Sequence, residues 1–438
     1  MKFIRKLYLP HIVMLSICIN PSVFGQNEAY LSNADHWSFS SQRHEVEPKH
    51  YINGEIKFQE SPTLAIEGAG NEIANGCWFT NMEVEPSSWY EFKAYFLSVN
   101  IEEPNRSVLA RILWYNENDK QVARAEYPST LSEVNDEKWN IIQDVYKVPE
   151  RGVKARIELV YRWDADGKVH FGGVSLKKTN DPGQRLVRLA TIHHRPQNSS
   201  GPQENLRQFA SLIEDAAKQN ADIVCLPEGI TIVGTELGYV SASEPVPGPT
   251  TNFLGEIARK HGMYIIAGML EKDGETVYNA AVLIDRSGEV AGVYHKVSLP
   301  REEINGGVTP GDALPVFDTD FGKIGMMICW DVTFPEPARA LAFQGAEVIF
   351  LPIWGGHLTL AKARALENQV YLVSSTYDMK SAVFDLEGEI IEEATVEHPV
   401  IVVEVDLNDR KYWPWLGDFK NRIKREMPTI EATKIELN

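Results

Sequence analysis

From residue 186 onward, short apolar runs rich in β-branched residues alternate with stretches whose apolar positions recur at helical spacing. The runs at 186–192, 223–226, 264–269, 324–328 and 371–375 predict buried strands, and the stretches at 205–219, 253–261 and 358–368 predict helices. Alternation of this kind implies strands with helical cover. Two four-residue turn signals, Asp285-Arg286-Ser287-Gly288 and Asp385-Leu386-Glu387-Gly388, interrupt it and predict β-hairpins. A longer-range pattern is superimposed: QNADIVCLPE, ending at Glu228, is echoed by QGAEVIFLPI, ending at Ile353, which predicts two similar helix-to-strand units in one domain.

Residues 26–178 follow a different period. Tyr90, Phe92, Ala94 and Phe96 share one face of a strand, as do Val108, Ala110, Ile112 and Trp114, and again Ala155, Ile157, Leu159 and Tyr161. Turn clusters such as Asn116-Glu117-Asn118-Asp119 separate them, so the segment reads as an all-β sandwich. It resembles the galactose-binding, carbohydrate-module jelly rolls fused to secreted enzymes. Six of the ten tryptophans lie here, at Trp37, Trp78, Trp89, Trp114, Trp139 and Trp163. Most are expected in the core, while an exposed one would offer a glycan a stacking surface. Asp164-Ala165-Asp166-Gly167 lacks the flanking helices and distal glutamate of a calcium loop and reads as a turn. A linker at 179–184 leads into a second domain at 185–410. The tail at 411–438, with Trp413 and Trp415, is assigned to a subunit interface.

Composition narrows the partners. The net charge of −18 disfavours nucleic acid and anionic membranes, and 43% hydrophobic content supports full cores. Residues 1–25 begin with Lys2, Arg5 and Lys6, pass through an apolar core at 12–19 and end in Val23-Phe24-Gly25, the pattern of a secretory signal peptide. A secreted or periplasmic protein is expected. Cys18 lacks the small preceding residue that lipoprotein processing needs, and no other run is long enough to span a bilayer. Removing that segment leaves Cys77, Cys225 and Cys329, an odd and widely spaced set that indicates no disulfide framework. Neither a metal-ligand cluster nor a phosphate-binding glycine loop is present, so no cofactor is expected.

Cys329 carries the candidate chemistry. In GKIGMMICWDVTFPEPARA an apolar run breaks off at this cysteine and a Pro-flanked, Ala-rich stretch follows, which predicts strand, elbow and helix. Free N–H groups and the helix dipole at such an elbow favour the thiolate. Glu228 closes ADIVCLPE at the carboxyl end of another strand, where open α/β sheets place their ligands. Lys296 lies in VYHKVSLP, and Glu303 follows in REEINGGVTPGD. These motifs, in this order, resemble the nitrilase superfamily, the carbon–nitrogen hydrolases: a glutamate after strand-Leu-Pro, a lysine after Tyr-Arg/His, and a cysteine before an aromatic residue and Asp. The resemblance covers roughly residues 186–405. It implies the family's four-layer α-β-β-α sandwich, dimers formed by helix packing, and a second glutamate matched best by Glu303, with Glu302 as the alternative.

Hydrolysis of an amide or nitrile is eased when it is split into acylation and deacylation through a thioester. On this reading Cys329 attacks, while Glu228 takes the thiol proton, returns it to the leaving nitrogen and activates water, work typically contributing about 10²–10⁴-fold. Lys296 and the backbone N–H of Trp330 form the oxyanion hole, where one donor typically contributes roughly 3–4 kcal/mol. Glu303 orients Lys296 or the substrate amide, and Trp354 and Gly355 line the pocket. Arg364 and Glu367, one turn apart, are expected to pair. The expected substrate is a small linear amide or carbamoyl compound. The alternatives are a true nitrilase, an acyltransferase, and a glycan- or peptide-binding protein with a vestigial hydrolase domain.

Overall fold

A computed structural model describes residues 31, 33–131, 139–413, 417–423 and 425–426. These fall into two compact units, one up to Asp181 and one from Pro182 onward. The expected signal peptide at 1–25 and Trp415 lie outside the described residues.

The first unit consists of two antiparallel sheets packed face to face. One has the order Ser38–Ser41, Asn75–Glu83, Lys154–Arg162, Val108–Tyr115; the other has Lys49–Phe58, Ser61–Glu67, Lys168–Thr179, Trp89–Val99, Asn140–Lys147, Ser129–Leu131. Trp78, Ile112, Trp114, Ile157 and Leu159 of the first sheet meet Ile66, Phe92, Phe96, Ile142 and Phe171 of the second in one core. Period-two alternation places these side chains on the inner faces. Trp37, Trp78, Trp114 and Trp139 are buried, Trp89 is half-buried and Trp163 is 43% exposed. Asp164 organises its loop as a turn: its carboxylate accepts the N–H groups of Gly167 at 2.7 Å and Glu102 at 3.1 Å.

The second unit holds two six-stranded sheets built to one plan. The first runs Val290–His295, Thr276–Ile284, Tyr264–Asp273, Ile223–Cys225, Leu186–Ile192, Val400–Asp406, and the second Val316–Asp318, Lys323–Met326, Val348–Pro352, Tyr371–Ser375, Ser381–Phe384, Ile390–Ala394. In each sheet three parallel strands are flanked by one antiparallel strand on one side and an antiparallel pair on the other. Ile223–Cys225 and Val348–Pro352, the two echoed segments, occupy the same central place in their respective sheets. Both turn signals form hairpins, with Asp285 and Asp385 donating their N–H groups to the carbonyls of Glu289 and Glu389.

Ile223, Cys225 and Ile266 pack against Met326, Phe350 and Val373 between the sheets. The alternate residues Val224, Leu226 and Ile265 face the helices Pro202–Lys218 and Pro249–His261 through Phe209, Ile213 and Leu254. Ile349, Leu351 and Leu372 face Pro335–Phe343 and Leu358–Asn368 through Leu341, Ala361 and Ala365. Four layers result, α-β-β-α, and burial of the strands on both faces explains why they read as continuous apolar runs. The first two helices begin several residues ahead of the apolar periodicity because a proline starts each one, its fixed φ suiting the first turn. The strand Val400–Asp406 returns to the first sheet, pairing antiparallel with Leu186–Ile192 from Leu186↔Asp406 to Ile192↔Val400, and a two-stranded ribbon, Tyr412–Trp413 with Gly417–Asp418, follows it. No helix among the described residues is long and apolar enough to cross a membrane.

Candidate active site

Glu228 and Lys296 lie just past the carboxyl ends of strands, Cys329 opens the turn Cys329–Thr333 and Glu303 lies in the short helix Arg301–Asn305, and the fold brings them together. Lys296 is wholly buried, and Glu228 and Glu303 are each 5% exposed. The Lys296 ammonium donates to Glu228 Oε1 at 2.8 Å and to Glu303 Oε1 at 2.5 Å. Glu302 is exposed, so it is Glu303 that stands against the lysine. Burial alone would lower the lysine pKa, but Glu228, Cys329 and Glu303 outweigh it and hold the ammonium above the ordinary lysine range. Burial raises the Glu303 pKa, opposed by Lys296 and reinforced by Glu228.

Sequence reasoning missed Asn279, which ties this cluster together. Its side-chain N–H groups donate to Glu228 Oε1 at 2.8 Å and Glu303 Oε2 at 3.1 Å, and its backbone carbonyl accepts the Lys296 N–H at 2.9 Å. The only signal was one amide inside the apolar strand VYNAAVLI. Trp354, expected to line the pocket, donates its backbone N–H to Glu228 Oε2 at 2.9 Å. Tyr377 donates its hydroxyl to the Glu228 carbonyl at 3.0 Å. Gly268 packs so closely on this segment that a Cβ there would lie 2.6 Å from Glu228 Cα.

Cys329 opens a short 3-10 turn, Cys329–Thr333, at the expected elbow, and the expected helix follows from Pro335. Its φ of +43° is unusual for a residue with a side chain and costs about 1–3 kcal/mol. Asp331 holds the front of the turn. Its carboxylate accepts the N–H groups of Ile328 and Ser298, both at 2.9 Å, and the Tyr294 hydroxyl at 2.7 Å. The expected preference for thiolate is corrected by the surroundings: burial and the Glu228 carboxylate push the Cys329 thiol up to about 12, against the opposing effect of Lys296. The thiol lies 3.8 Å from the Gly355 carbonyl, to which it donates. Trp330 is 44% exposed and Trp354 36% exposed. Arg364 and Glu367 pair at 2.8 Å. Among the described residues, no group of three or more His, Cys, Asp or Glu side chains is arranged to hold a metal ion.

A strained cysteine over a buried lysine and two carboxylates, set between doubled sheets, defines a class that comparison with known proteins makes explicit. Residues 188–414 match the carbon-nitrogen hydrolase family, and the chain belongs to that family. It is 37% identical over 244 residues to a nitrilase of Pyrococcus abyssi, covering 51% of this chain and 90% of that protein. It is 30% identical over 247 residues to the omega-amidase NIT2 of Homo sapiens, covering 50% and 88% respectively. Among solved structures, an amidase from a Nesterenkonia species aligns at 25% identity over 53% of this chain and 95% of its own, with a TM-score of 0.45.

Proposed function

We propose that this hydrolase cleaves the C–N bond of a small amide or carbamoyl compound through a thioester on Cys329. The observation that carries this reading is the buried cluster of Glu228, Lys296, Glu303 and Asn279 acting on the half-buried thiol. Glu228 Oε1 is occupied by Lys296 and Asn279, whereas Oε2 accepts the Trp354 N–H and has a further lone pair to take a proton. A thiol held protonated at rest passes its proton to Glu228 as sulfur attacks the carbonyl carbon. Lys296 spends two of its three N–H groups on carboxylates and offers the third, with the Trp330 N–H, to the oxyanion. Collapse breaks the C–N bond, and the nitrogen leaves with the proton from Glu228. Water, deprotonated by Glu228, then cleaves the thioester and releases the acid. Glu303 and Asn279 keep the lysine and glutamate in register.

The pattern of residues 1–25 supports export. The exposed Trp163 supports glycan contact by the β-sandwich, and membership of the carbon-nitrogen hydrolase family supports the homodimer that the resemblance implies.

The deciding experiment mixes wild type and Cys329→Ala with amides, carbamoyl amino acids and nitriles, and reads ammonia release beside intact-protein mass. Turnover and an acyl adduct in wild type, both absent in the variant, are expected. Equal turnover by the two proteins would sink the thioester route.

A further inference from the structure

We infer that Arg364 is a positioning residue that holds the nucleophile's turn in its strained form, a reading that rests on Cys329 as the attacking group. The turn Cys329–Thr333 is too short to satisfy its own carbonyls, and its last two would otherwise be left without donors. Arg364 supplies both: Nε donates to the Val332 carbonyl and Nη2 to the Thr333 carbonyl, each at 3.1 Å. The side chain is 5% exposed and reaches across from the helix Leu358–Asn368. Its remaining arm, Nη1, is held by Glu367 at 2.8 Å, and the Arg364 carbonyl accepts the Asn368 side chain at 2.8 Å.

With Asp331 gripping the N–H side of the turn and Arg364 the carbonyl side, the φ of +43° at Cys329 has no slack in which to relax. A planar guanidinium spans two carbonyls in one rigid fork, whereas a lysine, a point cation on a flexible stem, satisfies one at a time. Loss of the fork therefore lets the turn relax and moves the sulfur relative to Glu228 and Lys296. A misplacement of about 1 Å at reacting atoms costs on the order of 10²-fold in rate. Substrate binding should be little changed, since Arg364 is buried and its bonds go to the turn's carbonyls, Glu367 and Asn368.

The test compares wild type, Arg364→Lys and Arg286→Lys. Arg286 is a half-buried fork elsewhere in the domain, bonded to Asp222, Asp320 and the Gly262 carbonyl. Three quantities are read: kcat and KM for amide hydrolysis, the rate of iodoacetamide alkylation mapped to Cys329, and the thermal midpoint. Arg364→Lys is expected to lower kcat at least tenfold with KM within twofold, and to change the alkylation rate at least threefold. Arg286→Lys is expected to lower the midpoint while leaving kcat and alkylation within twofold. Values for Arg364→Lys within twofold of wild type, or an equal kcat loss in both variants, overturn the proposal. If Arg364→Lys does not fold, Arg364→Gln takes its place, and failure of both to fold assigns Arg364 to stability and overturns the positioning role. If wild type hydrolyses nothing, the thioester reading falls, and the alkylation rates still decide whether Arg364 holds the turn.

Discussion

Gly268 offers a direct way to move the general base without touching a single ionisable group. An added Cβ would lie 2.6 Å from both Glu228 Cα and the Pro227 carbonyl oxygen, and 3.1 Å from Pro352 Cβ, whereas ordinary contact begins at 3.4 Å. The deficit means that about 0.8 Å must be found, and close-packed interiors give way only at a cost. Gly268 itself is held in mid-strand opposite Ala281, and its carbonyl accepts the Ile230 N–H at 2.9 Å. The Pro227–Glu228 segment therefore has to retreat, stretching the 2.8 Å bond to Lys296 and the 2.9 Å bond to the Trp354 N–H. Gly268→Ala should lower kcat about 10- to 10²-fold through misplacement and stability by about 1–3 kcal/mol through overpacking. Ammonia release, intact mass and thermal melting follow the three effects. In the proposed mechanism Glu228 serves both half-reactions, so no acyl-enzyme should accumulate. A folded Gly268→Ala protein with kcat within twofold of wild type would refute the reasoning.

Lys296→Met leaves two buried carboxylates without their cation. It should abolish turnover and cost about 3–5 kcal/mol, measurable by chemical denaturation. Glu228 raises the Cys329 pKa, so Glu228→Gln should make alkylation of Cys329 at pH 8 faster than in wild type even as hydrolysis is lost; slower alkylation would contradict this electrostatic account. A cysteine whose folded pKa of about 12 exceeds its ordinary value of 9.0 contributes stability that is complete below pH 9 and lost as pH rises toward 12; Cys329→Ser should flatten that part of the stability profile. Asn279→Leu removes a hydrogen bond that lowers the Glu303 pKa, so the acid limb of the kcat/KM profile should move to higher pH. A profile that stays put would assign Asn279 to packing alone.

Much of the second domain was legible because its physics is local. Strands buried on both faces read as apolar runs, and the repeated QNADIVCLPE and QGAEVIFLPI marked equivalent strands that the structure places at equivalent positions in two sheets. Cys329, Glu228, Lys296 and Glu303 each stood out against an apolar background. What escaped notice depends on contacts between distant segments. Asn279 meets Glu228 across 51 residues and the Trp354 N–H meets it across 126, and no periodicity encodes a backbone donor arriving from the other sheet. At the elbow the order of strand, turn and Pro335-started helix was legible, whereas the state of the thiol was not, because it depends on burial and on a Glu228 carboxylate arriving from a distant segment. In the first domain, alternation marked the core-facing residues, yet Leu64, Ala65 and Ile66 are all buried, so one strand there lacks a wet face and hides its period.

The return of Val400–Asp406 to the side of Leu186–Ile192 has a consequence for biosynthesis. Arg185 donates its backbone N–H to the Asp406 side chain, 221 residues later, so the ends of the domain are among the last parts of the chain to meet. Until residue 406 has left the ribosome, the edge at Leu186–Ile192 presents unpaired N–H and C=O groups, the template on which strands of other chains aggregate. A nascent chain that has passed residue 395 already carries Glu228, Lys296, Glu303 and Cys329 and the strands of the second sheet, yet the first sheet still lies open along that edge. The pairing of Val400–Asp406, and not the arrival of the last reactive residue, marks the moment at which the first sheet is complete.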